Sequence, residues 1–107
     1  MGIANGLPAG FNPDAYDAII VGAGYAGAVC ARRLAEACGM KVAVIERRDH
    51  IAGNAYDYVD DAGILVHKYG PHIYHTMNER VNQYLSRFTE WTGYQHKVLA
   101  NTHGTLM

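Results

Sequence analysis

An α/β fold led by a parallel strand-helix-strand unit is what this sequence predicts, and three observations carry it. An apolar run from Asp17 to Val21 closes directly onto a glycine pattern, Gly22-Ala23-Gly24-Tyr25-Ala26-Gly27. From Tyr25 onward the small and apolar residues Ala26, Val29, Cys30 and Leu34 recur at helical spacing, with Arg32, Arg33 and Glu36 on the outer face. A second apolar run, Lys41 to Ile45, then ends on an acid, Glu46.

Each element has a physical reason. Asp17 to Val21 reads as a short buried strand, and Gly39 punctuates the end of the helix that starts at Tyr25. Gly22 permits the tight turn, Gly24 lets the backbone approach a pyrophosphate, and Gly27 lets the helix pack without a Cβ in the way. The free N–H groups and positive dipole end at the helix start, around Tyr25 and Ala26, favour the pyrophosphate charge. Glu46, at the carboxyl end of the second strand, is placed to accept from an adenosine ribose. A bare G-x-G-x-x-G is weak evidence, and its glycines can serve packing alone with Glu46 a solvated acid. The full order of strand, glycine turn, helix, strand and acid favours a Rossmann-like dinucleotide-binding fold, without separating NAD from FAD.

Beyond Glu46 lies a polar loop, Arg47-Arg48-Asp49-His50-Ile51-Ala52-Gly53-Asn54, expected beside the dinucleotide. Arg47 is placed to meet a phosphate or the adenosine end, although taken alone Arg47 and Arg48 read as a solvated loop. Tyr56 to Val59 and Ile64 to His67 predict a β-hairpin around Asp60-Asp61-Ala62-Gly63. Gly70-Pro71 then breaks the strand and presents His72 and His75 from a stiffened loop. His67, His72 and His75 have no cysteine or carboxylate among them at ligand spacing, so no metal site is predicted. The alternative is that the loop backs a ring system, with His72 as donor or titrating neighbour, and a structural histidine in a tight turn competes with both. Thr76 and Glu79 have capping-box spacing ahead of an amphipathic helix through Val81, Tyr84, Leu85 and Phe88, whose aromatic residues read as core. Trp91 to Ala100 predicts a strand, with Asn101-Thr102-His103-Gly104 as its turn and the returning strand wanting at Met107.

Composition bounds the function. The chain has 107 residues, half of them hydrophobic, enough for one domain or part of one. Residues 1–14 read as a flexible leader, and 15–107 as a truncated dinucleotide-binding domain. Nine basic against ten acidic residues leave a net charge of -1, which gives no electrostatic footprint for nucleic acid or an anionic membrane. Cys30 and Cys38 lie too far apart along one helix to bridge, and read as small packing residues in a reducing cytoplasm. The amino-terminal residues lack a secretory pattern, and no segment approaches membrane-spanning length.

Three segments together carry a resemblance: Ile-Val-Gly-Ala-Gly-Tyr-Ala-Gly-Ala-Val, Val-Ile-Glu-Arg-Arg-Asp-His-Ile-Ala-Gly-Asn-Ala-Tyr-Asp, and His-Lys-Tyr-Gly-Pro-His-Ile-Tyr-His-Thr. From about Tyr16 onward the chain resembles the amino-terminal part of the UDP-galactopyranose mutase family. The resemblance implies FAD, used in its reduced form, and the interconversion of UDP-galactopyranose and UDP-galactofuranose through a flavin N5–sugar adduct. It implies that Gly22, Gly24, Tyr25, Ala26 and Gly27 hold the pyrophosphate, and that Glu46 and Arg47 meet the adenosine ribose. Asn54 would contact the FAD from its loop, His72 and Ile73 would lie against the isoalloxazine, and His96 would fall near the substrate nucleotide. Ala52 stands where the family usually carries a glycine, a strain of order 1 kcal/mol if the position needs positive φ. Tyr74 stands for the usual phenylalanine.

In that family the diphosphate-clamping arginines and the aromatic residues of the sugar site lie beyond the position of Met107. The expectation is therefore a partial mutase chain, inactive alone, with incomplete burial of its apolar faces and an oligomeric state left open, a homo-oligomer included. Two other classes compete: a non-catalytic dinucleotide-binding remnant, and another FAD oxidoreductase of the amine-oxidase type. The segment around His72 argues against the latter.

Overall fold

Strands β1 (Ala18–Val21) and β2 (Val42–Ile45) pair in parallel, joined by the 14-residue helix α1 (Tyr25–Cys38). The computed structural model describes residues 7–106. The leader expected over 1–14 lies outside the described residues as far as residue 6, and its last two residues begin a 3-10 turn, Pro13–Ala15, capped by the Asn12 side chain.

Register in the parallel sheet is set at both ends. Asp17 N–H donates to the Lys41 carbonyl at 2.9 Å, and Lys41 N–H returns a bond to Asp17 Oδ2 at 2.7 Å. At the other end Gly22 N–H reaches the Ile45 carbonyl at 2.7 Å, carrying the pairing into the glycine turn. α1 stops where Gly39 takes φ 65, donating to the Ala35 carbonyl, while Met40 N–H reaches the Leu34 carbonyl.

Burial differs from the sequence expectation. β1 is not a buried strand: Ile19 is 41% and Val21 83% exposed, because α1 covers only one face of a two-stranded sheet. Among the described residues only Ala43 is buried. The phase of α1 also departs from the predicted stripe. Gly27, Ala31 and Leu34 are the partly buried positions, whereas Ala26, Val29 and Cys30 are exposed. The helix rotates so that its smallest residue meets the turn, which carries Cys30 and Cys38, unbridged, out to solvent rather than into packing.

β3 (Asp57–Val59) and β4 (Leu65–His67) form an antiparallel hairpin. Its turn is built by Asp60, whose Oδ1 accepts from the N–H groups of Ala62 and Ile64, both at 2.9 Å, with Gly63 at φ 79.

The chain divides into two compact units between Pro71 and His72. In the second unit, α2 (Glu79–Leu85) is capped by Asn78 rather than Thr76: Asn78 Oδ1 accepts from Arg80 and Val81 N–H, while Thr76 Oγ1 accepts from Asn78 N–H. α2 ends at Leu85, so Phe88 lies past it, edge-on to Tyr84 at 5.4 Å and 48% exposed rather than core. Tyr74 stacks on Trp91 at 3.9 Å, and its hydroxyl donates to Asn82 Oδ1 at 3.3 Å.

No strand forms over 91–100. Instead Asn101–Thr102 (β5) pairs with Thr105–Leu106 (β6), so two residues expected in a turn are strand and the returning strand is present. The turn is His103-Gly104, with φ 52 and 86, because two successive left-handed residues close a two-residue hairpin loop. Among the described residues, no helix is long and apolar enough to cross a membrane.

Candidate dinucleotide site

The glycine turn between β1 and α1 is shaped by two positions. Gly22 takes φ 102, a conformation that side chains disfavour. At Gly27 a Cβ would stand 1.9 Å from the Gly22 carbonyl oxygen and 3.3 Å from Ile20 Cγ2, so the turn folds back onto a residue that must lack a side chain. Gly24 precedes the helix in extended conformation, and no side chain caps the first turn. The first i to i−4 bond runs from Ala28 N–H to the Gly24 carbonyl, which leaves the N–H groups of Tyr25, Ala26 and Gly27 without such an acceptor. Tyr25 and Ala26 are exposed, so this is an accessible cluster of donors at the positive end of a dipole.

A second loop buttresses the turn through backbone alone. Ala52 N–H donates to the Ala23 carbonyl at 2.9 Å, and a Cβ on Gly53 would stand 3.1 Å from Gly24 Cα. This close approach is reached with φ 72 at Ala52 and φ 62 at Gly53. Alanine in the left-handed region carries about 1 kcal/mol of strain. Ala52→Gly is therefore expected to change the stability of the chain by no more than about 0.5 kcal/mol in urea unfolding, because relief of the strain is largely offset by the added freedom of the unfolded chain. A loss of about 1 kcal/mol or more, the cost of glycine where alanine is unstrained, would mean that the loop does not hold this conformation.

Glu46, immediately after β2, joins the two loops. Its Oε2 accepts from Ala23 N–H at 2.7 Å and its Oε1 from Arg48 N–H at 2.9 Å. These backbone donors, Arg48 first, then Ala23 and lastly Arg47, hold the carboxyl below its ordinary value against the opposing effect of burial, and the Arg48 charge assists. Because the folded pKa is depressed, the stabilisation is complete above the unfolded value of 4.5 and is lost as pH falls through the folded pKa. Acid unfolding followed by circular dichroism is expected to show that loss in the native chain. Glu46→Gln should be less stable at neutral pH but flatter in acid, and parallel pH profiles would contradict the linkage. Each carboxylate oxygen keeps a lone pair beyond its backbone bond, so Glu46 can still accept two hydroxyl groups.

The loop after Glu46 is more structured than a solvated loop. Arg47 is exposed, but Arg48 is partly buried, with Nη2 donating to Asn54 Oδ1 at 2.8 Å and the guanidinium 4.4 Å from the Tyr69 ring centroid. Arg48 Nη1 is shielded from solvent and has no hydrogen-bond partner among the described residues. His50 stacks on Tyr56 at 4.0 Å and bonds the Tyr69 hydroxyl through Nε2 at 2.6 Å, while Nδ1 meets the Ile51 carbonyl at 2.8 Å. A carbonyl only accepts, so Nδ1 carries the proton and, in the neutral ring, Nε2 accepts from Tyr69. Sequence reasoning missed Arg48, His50, Tyr56 and Tyr69 as a group. Their partners meet only when the loop and hairpin close, and the cation-aromatic alternation along 48–69 is the sole signal.

The structure therefore brings Gly22, Gly24, Tyr25, Ala26, Gly27, Glu46 and Asn54 into one continuous pair of loops in the first unit. Arg47 lies in the same stretch of the first unit, whereas His72, Ile73 and His96 lie in the second. His72 is partly buried, Ile73 is 38% exposed, and His96 is exposed with Nδ1 3.1 Å from the Tyr94 hydroxyl.

The chain is 49% identical over 80% of its length to a probable UDP-galactopyranose mutase of Klebsiella pneumoniae, and 46% identical over 85% to the UDP-galactopyranose mutase of Mycoplasma genitalium. It is also 44% identical over 82% to a dTDP-fucopyranose mutase of Escherichia coli. The chain spans about a fifth of the length of these relatives, 22% of each of the first two. Residues 20–88 match the family described as the NAD(P)-binding Rossmann-like domain, the stretch that holds the glycine turn, α1, Glu46 and the Arg48–Asn54 loop. With turn, helix, acid and family match in agreement, the chain belongs to the NAD(P)-binding Rossmann-like domain family and carries a dinucleotide fold.

Proposed function

We propose that this chain is the cofactor-holding portion of an FAD-dependent mutase that interconverts UDP-galactopyranose and UDP-galactofuranose. The observation that carries the reading is the Glu46 carboxylate, held by Ala23 and Arg48 N–H beside an uncapped helix start. An acid with free lone pairs next to free N–H donors matches the two polar ends of an adenosine diphosphate: ribose hydroxyls that donate and phosphate oxygens that accept. The donor set fits a dinucleotide. Tyr25, Ala26 and Gly27 N–H would take the pyrophosphate, Glu46 the ribose, and Asn54 a further acceptor. The names of the relatives and the resemblance to the mutase family favour FAD over a nicotinamide dinucleotide. Bound and reduced, FAD would supply a nucleophilic ring nitrogen for substitution at the sugar's anomeric carbon.

The residues of this chain would orient and retain the cofactor. Backbone donors hold the ionised Glu46 carboxylate in place, and the Ala52-Gly53 backbone keeps the glycine turn from opening. The roles of His72 and Ile73 at the flavin ring, and of His96 at the substrate nucleotide, rest on the resemblance alone. The relative named dTDP-fucopyranose mutase favours a second reading, in which the sugar nucleotide differs while the cofactor end is the same.

The test is titration of the 107-residue chain with FAD, followed by quenching of flavin fluorescence, with NAD as competitor. Saturable quenching that NAD does not reverse supports the proposal, and no binding, or displacement by equal NAD, overturns it.

A further inference from the structure

We infer that Arg48 is a positioning residue that turns the Asn54 amide into an obligate hydrogen-bond donor toward an acceptor oxygen of the bound dinucleotide. The inference deepens the proposed function and rests on that reading. A guanidinium has donors only, so the amide atom facing Arg48 Nη2 at 2.8 Å has to be the Asn54 oxygen. The Asn54 –NH₂ group is thereby turned away from Arg48, and it has no partner among the described residues on a side chain that is exposed. An asparagine free to flip offers either character; one pinned through its oxygen presents N–H alone.

Arg48 is itself restrained at two points. Its backbone N–H is tied to Glu46 Oε1 at 2.9 Å, and its guanidinium plane lies over Tyr69 at 4.4 Å. Tyr69 in turn is fixed by His50, whose ring stacks on Tyr56. The same arginine thus reads two ligand-facing groups, fixing Glu46 as acceptor through its backbone and Asn54 as donor through its side chain. Its unpartnered, shielded Nη1 shows that solvation is not what holds the side chain here. Lysine cannot replace it, because a flexible ammonium has no planar fork to lie on Tyr69 and meet Asn54 together.

A double-mutant cycle on FAD affinity tests this, using Arg48→Met, Asn54→Ala and the pair in the full chain. Each single variant is expected to weaken FAD binding about 10-fold, and the pair no more than either one, since Arg48 acts through Asn54. Arg48→Lys should behave as Arg48→Met. Asn54→Asp, which keeps the acceptor for Arg48 but loses the donor, should weaken FAD about as much as Asn54→Ala. Additive losses near 100-fold would overturn the inference by showing that Arg48 acts independently of Asn54, and an unchanged affinity in Arg48→Met would overturn it as well. A readout free of ligand separates the two readings: the Asn54 side-chain amide protons, inequivalent in any asparagine because the C–N bond turns slowly, should lie away from the free-asparagine positions in the native chain, as expected of an ordered amide, and move toward them in Arg48→Met. If the native chain takes up no FAD, the cofactor reading and the donor role fall together, while the amide signals still decide whether Arg48 holds Asn54. Identical amide signals in both proteins overturn the positioning itself.

Discussion

Gly27→Ala is expected to destabilise the first unit by about 3 kcal/mol and to abolish dinucleotide binding. Inside a helix the same change ordinarily stabilises by up to about 1 kcal/mol, because alanine has the better helix propensity. Here the added methyl would stand 1.9 Å from the Gly22 carbonyl oxygen, a backbone atom in a turn already tied to Ile45, so no side-chain rotation relieves the contact. The turn has to open, and with it go the donors at the helix start. Urea unfolding gives the stability, and FAD titration the binding. Ala26→Gly is the control, costing about 1 kcal/mol for lost helix propensity at an exposed position. A Gly27→Ala chain with native stability would mean that the turn does not pack against α1 as described.

Glu46→Ala should produce the second large effect, weakening FAD roughly 100-fold, as expected when charge-assisted bonds to two ribose hydroxyls are lost and the two loops come apart. The carboxylate bonds both Ala23 and Arg48 N–H, so its removal leaves both donors without that partner. Glu46→Gln separates charge from shape. A carboxamide has one oxygen and cannot accept from Ala23 and Arg48 on two separate atoms, so Gln should fall nearer to Ala than to the native residue. Native-like FAD affinity in Glu46→Gln would show that charge and double acceptance are both dispensable.

Much of the fold was legible because its punctuation is local. The strand-helix-strand unit, the helix end at Gly39 and the Asp60–Gly63 turn all follow from glycine and aspartate acting on their own neighbours. What escaped depends on choices between equivalent local signals or on contacts through space. Thr76 and Asn78 are both good caps, and only the path of the chain selects Asn78. The turn expected over Asn101 to Gly104 narrows to His103-Gly104, because Asn101 favours turns yet serves this one from its strand, accepting Gly104 N–H at 2.9 Å. In α1 a helix rich in small residues has no bulky stripe to set its phase, so Gly27 and Leu34 were legible as packed positions, while Ala31 was not and Ala26, Val29 and Cys30 turn to solvent instead. At the site, the glycines and Glu46 were legible from motif order, and the left-handed Ala52 only from a resemblance. The Arg48–Asn54 bond, which requires the loop to close, was not readable.

The most direct measurement is an amide correlation spectrum of the ¹⁵N-labelled chain titrated with FAD. The largest shifts are expected at Tyr25, Ala26 and Gly27, with smaller ones at Ala23 and Arg48, whose N–H groups hold Glu46. Saturable FAD binding that leaves those amides unmoved would contradict a cofactor held by the glycine turn and its acid.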